Sequence, residues 1–484
     1  MSSINSSIWL TLFASHAGAG PSLRERTCAA VRQAVNGGQL KQGERLPSSR
    51  VLAGDLGVSR VTVEAAYGQL EAEGYLTRKA GGGTFVAIQV AAITPVPTHV
   101  SVPTLSRRGD AIVAGGGCFD PLKPHAFDAG SPDLEAFPLD IWQKLSSRVL
   151  RRSGRGLLGY GDPSGYRPLR EAIANYLNQS RGVRCSAEQV IVLSSSQQAL
   201  QLTASMLLDA GDTVWMEEPG YSGARTAFAA QGARLVPVAV DNDGMDIAQA
   251  PGDAAPRLIY LTPSHQYPTG ASLSLPRRMA LLEHAHRQQS WIIEDDYDGE
   301  YHYDGRPLPA MQGLDQHGRV IYVGTFSKVL FPSLRLAYLV LPPGLVDAFR
   351  LARTVQDGHS AQWMQAVTAA FIEEGHFAAH LRHMRQLYHS RRDLLQSQLT
   401  AQLGGWLQPA PATGGLKLTV WLPPGQEIIR SRQAARAGIT TPGLSSLYLG
   451  TPRDGWLLGF AALSNEEIRA GVTSLARIAA AKKG

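Results

Sequence analysis

From Phe127 onward the chain alternates short apolar runs with longer amphipathic ones, and this alternation constrains the fold more than any other feature. "QVIVL", "TVWM", "RLVPV", "RLIYL", "WIIE", "RVIYV" and "LAYLVL" are β-branched or aromatic and too short for helices. Strands that are apolar at successive positions need cover on both faces, as in a parallel sheet flanked by helices. Segments such as "PLREAIANYL" and "SLPRRMALLEHAHRQ" supply that cover. The expected body spans 126–484 and is α/β, with a mostly parallel sheet whose ligands sit beyond the carboxyl ends of the strands. After about Arg385 the pattern changes to a smaller α+β segment, 385–484, closed by the helix "NEEIRAGVTSLARIAA".

Three polar clusters fall where apolar runs end. In "IVLSSSQQAL" a strand meets three serines and a helix start. Hydroxyls and helix N–H groups suit a phosphate, and Ser194 to Ser196 equally suit a helix cap. "WIIEDDYDGEY" ends on Glu294, Asp295, Asp296 and Tyr297. This is either an acid for a cationic ring nitrogen with a tyrosine for a phenolate oxygen, or a solvated acidic loop, or a metal site. In "VGTFSKVLFPSLR", Lys328 offers an amine for a Schiff base, with Thr325, Ser327 and Arg335 as phosphate ligands. A surface lysine in a loop has the same appearance. Together the three clusters fit one cofactor, pyridoxal 5′-phosphate (PLP), which needs a lysine, an acid near its ring nitrogen and an anion cradle.

The N-terminal region has a different grammar. "LRERTCAAVRQAV" is amphipathic and stops at Asn36-Gly37-Gly38. "LPSSRVLAGDLG" carries Ser48 or Ser49 as an N-cap and stops at Gly57, and Ser59 caps "VSRVTVEAAYGQLEAEGY". "YLTRKAGGGTFVAI" reads as two short strands around a Gly-rich turn. Helices joined by a short turn and followed by a hairpin predict a winged helix-turn-helix over 21–88. It holds nine basic and six acidic residues between Leu23 and Ala87, a modest net of +3.

Residues 89–125 are rich in Pro, Thr, Ser and Gly and read as a linker that spans rather than packs. Residues 1–20 lack the basic start of a signal peptide and read as a short extension. No apolar run reaches the roughly 18 residues of a membrane span. Cys28, Cys118 and Cys185 are far apart, without metal spacing, which fits a reducing cytoplasm; no metal is expected.

From Phe127 to its end the chain resembles the fold-type I PLP enzymes of the aminotransferase class. By that resemblance Lys328 would carry the Schiff base, Asp295 would pair with the pyridine nitrogen and Tyr297 would bond the ring hydroxyl. Ser196, Gln197, Thr325 or Ser327, and Arg335 would hold the phosphate, and Tyr221 would stack on the ring. Tyr160 matches a tyrosine that reaches the phosphate of a neighbouring subunit, which implies a homodimer. Two positions depart from the pattern. Tyr267 precedes Pro-Thr-Gly where an asparagine is usual, and Leu457 in "GWLLGF" stands where an arginine usually holds the substrate carboxylate. Arg453, four residues earlier, is the candidate replacement for binding an effector.

The region 23–87 resembles the GntR-type winged helix. Ser59, Arg60 and Thr62 would meet base edges, and Arg50 phosphate or a base edge. Arg45 and Ser48 would meet the DNA backbone, and Gly82 would mark the wing tip. Glu64 stands where many such proteins have a basic residue. The whole chain resembles the MocR/GabR-type regulators. This implies a cytoplasmic, PLP-dependent, DNA-binding transcriptional regulator, paired head-to-tail, that senses an amine or amino acid, or PLP itself, through an aldimine. The alternative is a competent aminotransferase with an appended DNA-binding domain.

Overall fold

A computed structural model describes residues 6–16, 22–88, 104–117, 126–251, 255–305 and 308–480. The chain divides into two compact units, Met1–Thr104 and Leu105–Gly484. Of the linker read over 89–125, only 104–117 falls among the described residues, and Cys118 lies outside them.

The first unit holds α1 (Ser6–Ala14), α2 (Leu23–Asn36), α3 (Ser49–Leu56), α4 (Arg60–Ala72) and the antiparallel hairpin β1 (Leu76–Lys79) and β2 (Gly83–Val86). Its helix boundaries follow from capping chemistry. Ser22 and Glu25 form a reciprocal capping box at α2. Ser48 accepts from the Val51 N–H at the start of α3, and left-handed Gly57 ends it. Ser59 caps α4. Cys28, Val31, Leu52, Val63 and Leu70 form the core, and buried Tyr67 donates to the Pro47 carbonyl at 2.8 Å. The N-terminal stretch is more than an extension. In α1, Trp9, Leu12 and Phe13 join this core, and the Arg26 guanidinium covers the Phe13 ring at 4.2 Å.

In the second unit the helices are α5 (Arg107–Ala114), α6 (Leu139–Ser153), α7 (Arg167–Ser180), α8 (Ser196–Leu207), α9 (Ser222–Ala229), α10 (Leu275–Gln288), α11 (Met311–Leu314), α12 (Val346–Gln356), α13 (Gln362–Glu373), α14 (His376–Leu403), α15 (Glu427–Arg436) and α16 (Asn465–Ala480). The strands are β3 (Val190–Leu193), β4 (Thr213–Glu218), β5 (Arg234–Asp241), β6 (Gly244–Met245), β7 (Leu258–Leu261), β8 (Trp291–Asp296), β9 (Val320–Thr325) and β10 (Ala337–Val340). They form one sheet in the order β3-β10-β9-β8-β7-β4-β5-β6. Strands β9, β8, β7, β4 and β5 run parallel; β10 is antiparallel to both neighbours, and β6 to β5. Side chains alternate between faces as a pleat demands. Ile191, Met216, Tyr260, Ile293 and Val323 pack toward α8, α9 and α12. Val192, Tyr322 and Tyr338 pack toward α6, α7, α13 and α14.

A second antiparallel sheet joins β11 (Gln408–Pro409), β12 (Lys417–Trp421) and β13 (Gly455–Gly459). The 28-residue α14 runs unbroken through Arg385, so the change of pattern there is not a break in the chain. Part of the stretch read as a spanning linker does pack. α5 is a capped helix, and a Cβ added to the following Gly115 would collide with Thr226 of α9.

Candidate functional site

The parallel strands end at one edge of the sheet, the edge where antiparallel β10 begins, and the turns there build one cleft of about 570 Å³. Ten of the residues singled out from the sequence line it: Ser196, Gln197, Tyr221, Tyr267, Asp295, Tyr297, Thr325, Ser327, Lys328 and Arg335. β3 leads into Ser194–Ser196 and the amino end of α8, where partial positive charge gathers. β9 ends at buried Thr325, whose hydroxyl accepts from the Ser327 N–H at 3.2 Å and shapes the turn before Lys328. Gly130 lies against Lys328, with φ +89° and room for a Cβ only 3.4 Å from its Nζ. At Gly223 a Cβ would fall 2.5 Å from both Gln197 Oε1 and the Tyr221 ring, so a glycine is needed where that ring lies.

Three consecutive acids of β8 take three different fates. Glu294 is fully buried and accepts from the Met311 and Gln312 N–H groups at the start of α11, both at 2.8 Å. Asp296 pairs with Arg181 at 2.8 Å and accepts from Tyr322 at 2.6 Å, all three buried. Neither forms the solvated loop that the sequence also allowed. Between them Asp295 faces the cleft. Its Oδ2 accepts from Tyr260 at 2.8 Å, and its buried Oδ1 has no hydrogen-bond partner among the described residues. Burial pushes its pKa up to about 7, against the lowering effect of the Tyr260 hydrogen bond. A buried carboxylate oxygen without a donor awaits one. A protonated pyridine nitrogen supplies both the donor and the charge that returns the acid to its ionised form. The lysine, the acid and the hydroxyl-lined helix end therefore fit PLP.

The turn "HQYPTG" is braced from below. Gln266 donates to the Pro219 carbonyl at 2.8 Å and accepts from the Thr269 hydroxyl at 2.6 Å. Buried Glu217 holds the Thr262 hydroxyl at 2.6 Å, which in turn accepts the Tyr267 N–H at 2.8 Å. Tyr267 meets Tyr221 and Tyr297 edge-on, with ring centres 5.5 and 6.1 Å away. Tyr297 donates to the His265 carbonyl at 3.0 Å and accepts from Lys417 Nζ at 2.7 Å.

Lys417 is one residue that sequence reading missed. It lies on β12, lines the same cleft, and sits over the rings of Tyr297 and Tyr267 at 4.2 and 4.9 Å. Burial draws its pKa down to about 8; Asp298 opposes that shift and Lys328 adds to it. Its signal was a single lysine inside the apolar run "GGLKLTVW". Tyr260, at the end of β7, was also missed, because a tyrosine in a buried strand looks like core.

Three residues fall elsewhere. Tyr160 is fully exposed and outside the cleft. Arg453, the candidate effector ligand, does not line it either. Its guanidinium lies 3.9 Å over the Trp421 ring, in a separate cleft of about 430 Å³ with Glu218 and Tyr448. The ring supplies a cation–π partner that holds the arginine there. Leu457 is buried in an apolar cluster with Leu444 and Leu447, so no cation stands at that position.

In the winged helix, Arg45, Ser48, Arg50, Ser59 and Arg60 are exposed, Thr62 and Gly82 half-buried. Ser48 and Ser59 are committed to capping, and the Ser59 and Thr62 hydroxyls bond each other at 2.8 Å. Arg45 crosses the wing, where a Cβ on Gly83 (φ +108°) would fall 2.8 Å from its Nε. Glu64 faces Arg78 of β1 at 3.6 Å, and Glu71 holds the same arginine at 3.2 Å. Val61, missed in the sequence, is 77% exposed beside Arg60 on α4.

A winged helix-turn-helix and a PLP-type cleft in one chain define a DNA-binding regulator built on an aminotransferase body. Residues 127–475 match the family Aminotransferase class I and II, and residues 23–86 match the bacterial regulatory proteins of the gntR family. The probable rhizopine catabolism regulatory protein MocR of Rhizobium meliloti is 41% identical over 450 residues, covering 92% of this chain and 91% of that protein. The pyridoxine biosynthesis transcriptional regulator PdxR of Corynebacterium glutamicum is 31% identical over 440 residues, 91% of this chain and 92% of that one. Among solved structures, the α-aminoadipate aminotransferase LysN of Thermus thermophilus superposes with a TM-score of 0.69 at 28% identity, covering 77% of this chain and 94% of that one. The chain belongs to the MocR-type transcriptional regulators, PLP-dependent proteins with a GntR head and an aminotransferase class I and II body.

Proposed function

We propose that the cleft holds PLP as a sensor and that the winged helix converts its state into altered binding to operator DNA. The observation that carries this reading is Asp295, buried and one donor short on the wall that also presents Lys328. When bound, PLP supplies a carbonyl that condenses reversibly with primary amines. Lys328 Nζ is the protein's own amine for that carbonyl. Asp295 Oδ1 would accept the ring N–H, and Tyr297 and Tyr267 would serve the ring oxygen. Tyr221 would stack on the ring; Ser196, Gln197, Thr325, Ser327 and Arg335 would hold the phosphate. The effector is an amine or amino acid, or PLP itself. The protein acts in the cytoplasm as a head-to-tail homodimer, and exposed Tyr160 reaches the phosphate of the second copy. Among the described residues, no helix is long and apolar enough to cross a membrane.

On DNA, Arg60 and Arg50 read or anchor the duplex, with Arg45 and Gly82 at the wing. Exposed Val61 suits the methyl group of a thymine. Arg60→Ala is expected to cost about 1–3 kcal/mol of operator affinity while PLP loading is unchanged, as read by fluorescence anisotropy and the visible band. An unaltered affinity removes Arg60 from the interface.

The decisive measurement follows the visible band and operator binding together while PLP-loaded protein is titrated with amino acids and amines. A regulator shifts its band and changes DNA affinity by about 5- to 150-fold, the usual range of coupling between sites, with no more than one product per site. Continued product formation with unchanged DNA affinity would instead identify an aminotransferase that carries a DNA-binding domain.

A further inference from the structure

The cleft holds a second lysine, and the first has a cofactor to serve. Lys417 is 8% exposed, and a buried ammonium persists where its charge and its protons find partners. Among the described residues its hydrogen bond goes to a neutral hydroxyl, Tyr297, at 2.7 Å. The nearest carboxylate, Asp298, is 3.8 Å away and already bonded to His265 at 2.9 Å. The pairing is thus loose, and an ammonium has three donors to place.

With PLP bound, the phosphate would answer Arg335, the ring nitrogen would answer Asp295, and Lys328 would serve the carbonyl. Lys417 would keep only its loose pairing with Asp298, a carboxylate it shares with His265. It stands in the aromatic corner of Tyr267 and Tyr297 and lines the cleft. Leu457, one strand over on β13, sits in an apolar cluster and offers no alternative cation.

We infer that Lys417 is the anchor for an acidic group on the effector, so that the cleft selects amino acids over simple amines. The ligand class is a primary amine bearing a carboxylate or an equivalent anion, held by a single ammonium rather than by a bidentate guanidinium. This rests on the reading of the cleft as a PLP sensor and names what that sensor grips.

The test uses the full-length, PLP-loaded protein and four probes: glycine and L-alanine, and their decarboxylated counterparts methylamine and ethylamine. The concentration that half-shifts the visible band is read for each, normalised to bound cofactor. In the unaltered protein each amino acid should act at about ten-fold lower concentration than its amine, or lower still, as a charge-assisted hydrogen bond implies. Lys417→Gln keeps a hydrogen-bonding group beside Tyr297 but no charge; it should bring the ratio close to one, chiefly by weakening the amino acids. Lys417→Arg should restore the preference, an outcome that a purely structural role of Lys417 does not produce. An unaltered protein without preference overturns the inference, whatever the variants do, and so does a Gln variant that keeps the full preference. A band that responds to none of the four probes overturns this inference and leaves PLP itself as the effector of the proposed sensor.

Discussion

Lys328→Ala is expected to abolish the borohydride-reducible adduct between the protein and PLP, and with it the visible band. The effect should be all or none, because a covalent link either has its nitrogen or lacks it. The cleft supplies a demanding internal control. Lys417 is a second amine lining the same cleft, itself buried, with a pKa drawn down to about 8, low enough to leave part of it uncharged in mildly alkaline buffer. Its donor is directed at Tyr297, whereas Lys328 rises from the turn after β9 beside Gly130. Mass analysis of the reduced protein decides between them. A label on the peptide containing Lys417, persisting in Lys328→Ala, would move the attachment point and reverse the roles given to the two lysines.

Arg181→Ala is expected to be the most damaging single change to stability outside the apolar core, at about 3–5 kcal/mol. Its side chain is 4% exposed and its partner Asp296 0%. Arg181 also donates to Ser264 at 2.8 Å and to the Gly299 carbonyl at 3.1 Å, tying β8 to the turns around it. Removing the guanidinium leaves a buried carboxylate held by the Tyr322 and Ser264 hydroxyls without the arginine's charge. The pH dependence follows from the sign of the shift. Burial alone would raise Asp296; Arg181 and Tyr322 overcome it and hold the acid below its ordinary value. A depressed carboxylate stabilises the fold above its unfolded pKa and loses that contribution as pH falls through the folded one. The gap between wild type and variant should therefore be widest at neutral pH and narrow in acid. Denaturant midpoints with unchanged slopes would measure it; a gap below about 1 kcal/mol would show that the pair is relaxed or hydrated.

The large sheet was legible because its strands are apolar at consecutive positions, which no helix of that length repeats. The lysine turn, the acid after β8 and the serine-rich helix start were legible because polar residues at the ends of buried strands have few structural reasons to be there. What was not legible depended on direction in space. Asp295 and Asp296 are adjacent acids on one strand, and only the pleat decides which faces the cleft and which faces Arg181. Lys417 hid inside an apolar run, because a strand pattern does not say that its odd lysine ends on a cleft wall. Arg453 was placed by distance along the chain, and the face of Trp421 captured it instead. Glu64 marked a departure from the expected contact set; its pairing with Arg78 needed the hairpin folded back beside α4.

The short helix α1 sets where the DNA-binding head can be cut. Family matching begins at residue 23, yet Trp9, Leu12 and Phe13 are buried in the core of that head. A fragment trimmed to the matched boundary would leave their apolar seats on α2 and α3 open to water, the kind of patch that promotes self-association. A head fragment therefore needs α1 from Ser6 onward, and an affinity tag needs a spacer that leaves this helix free to seat.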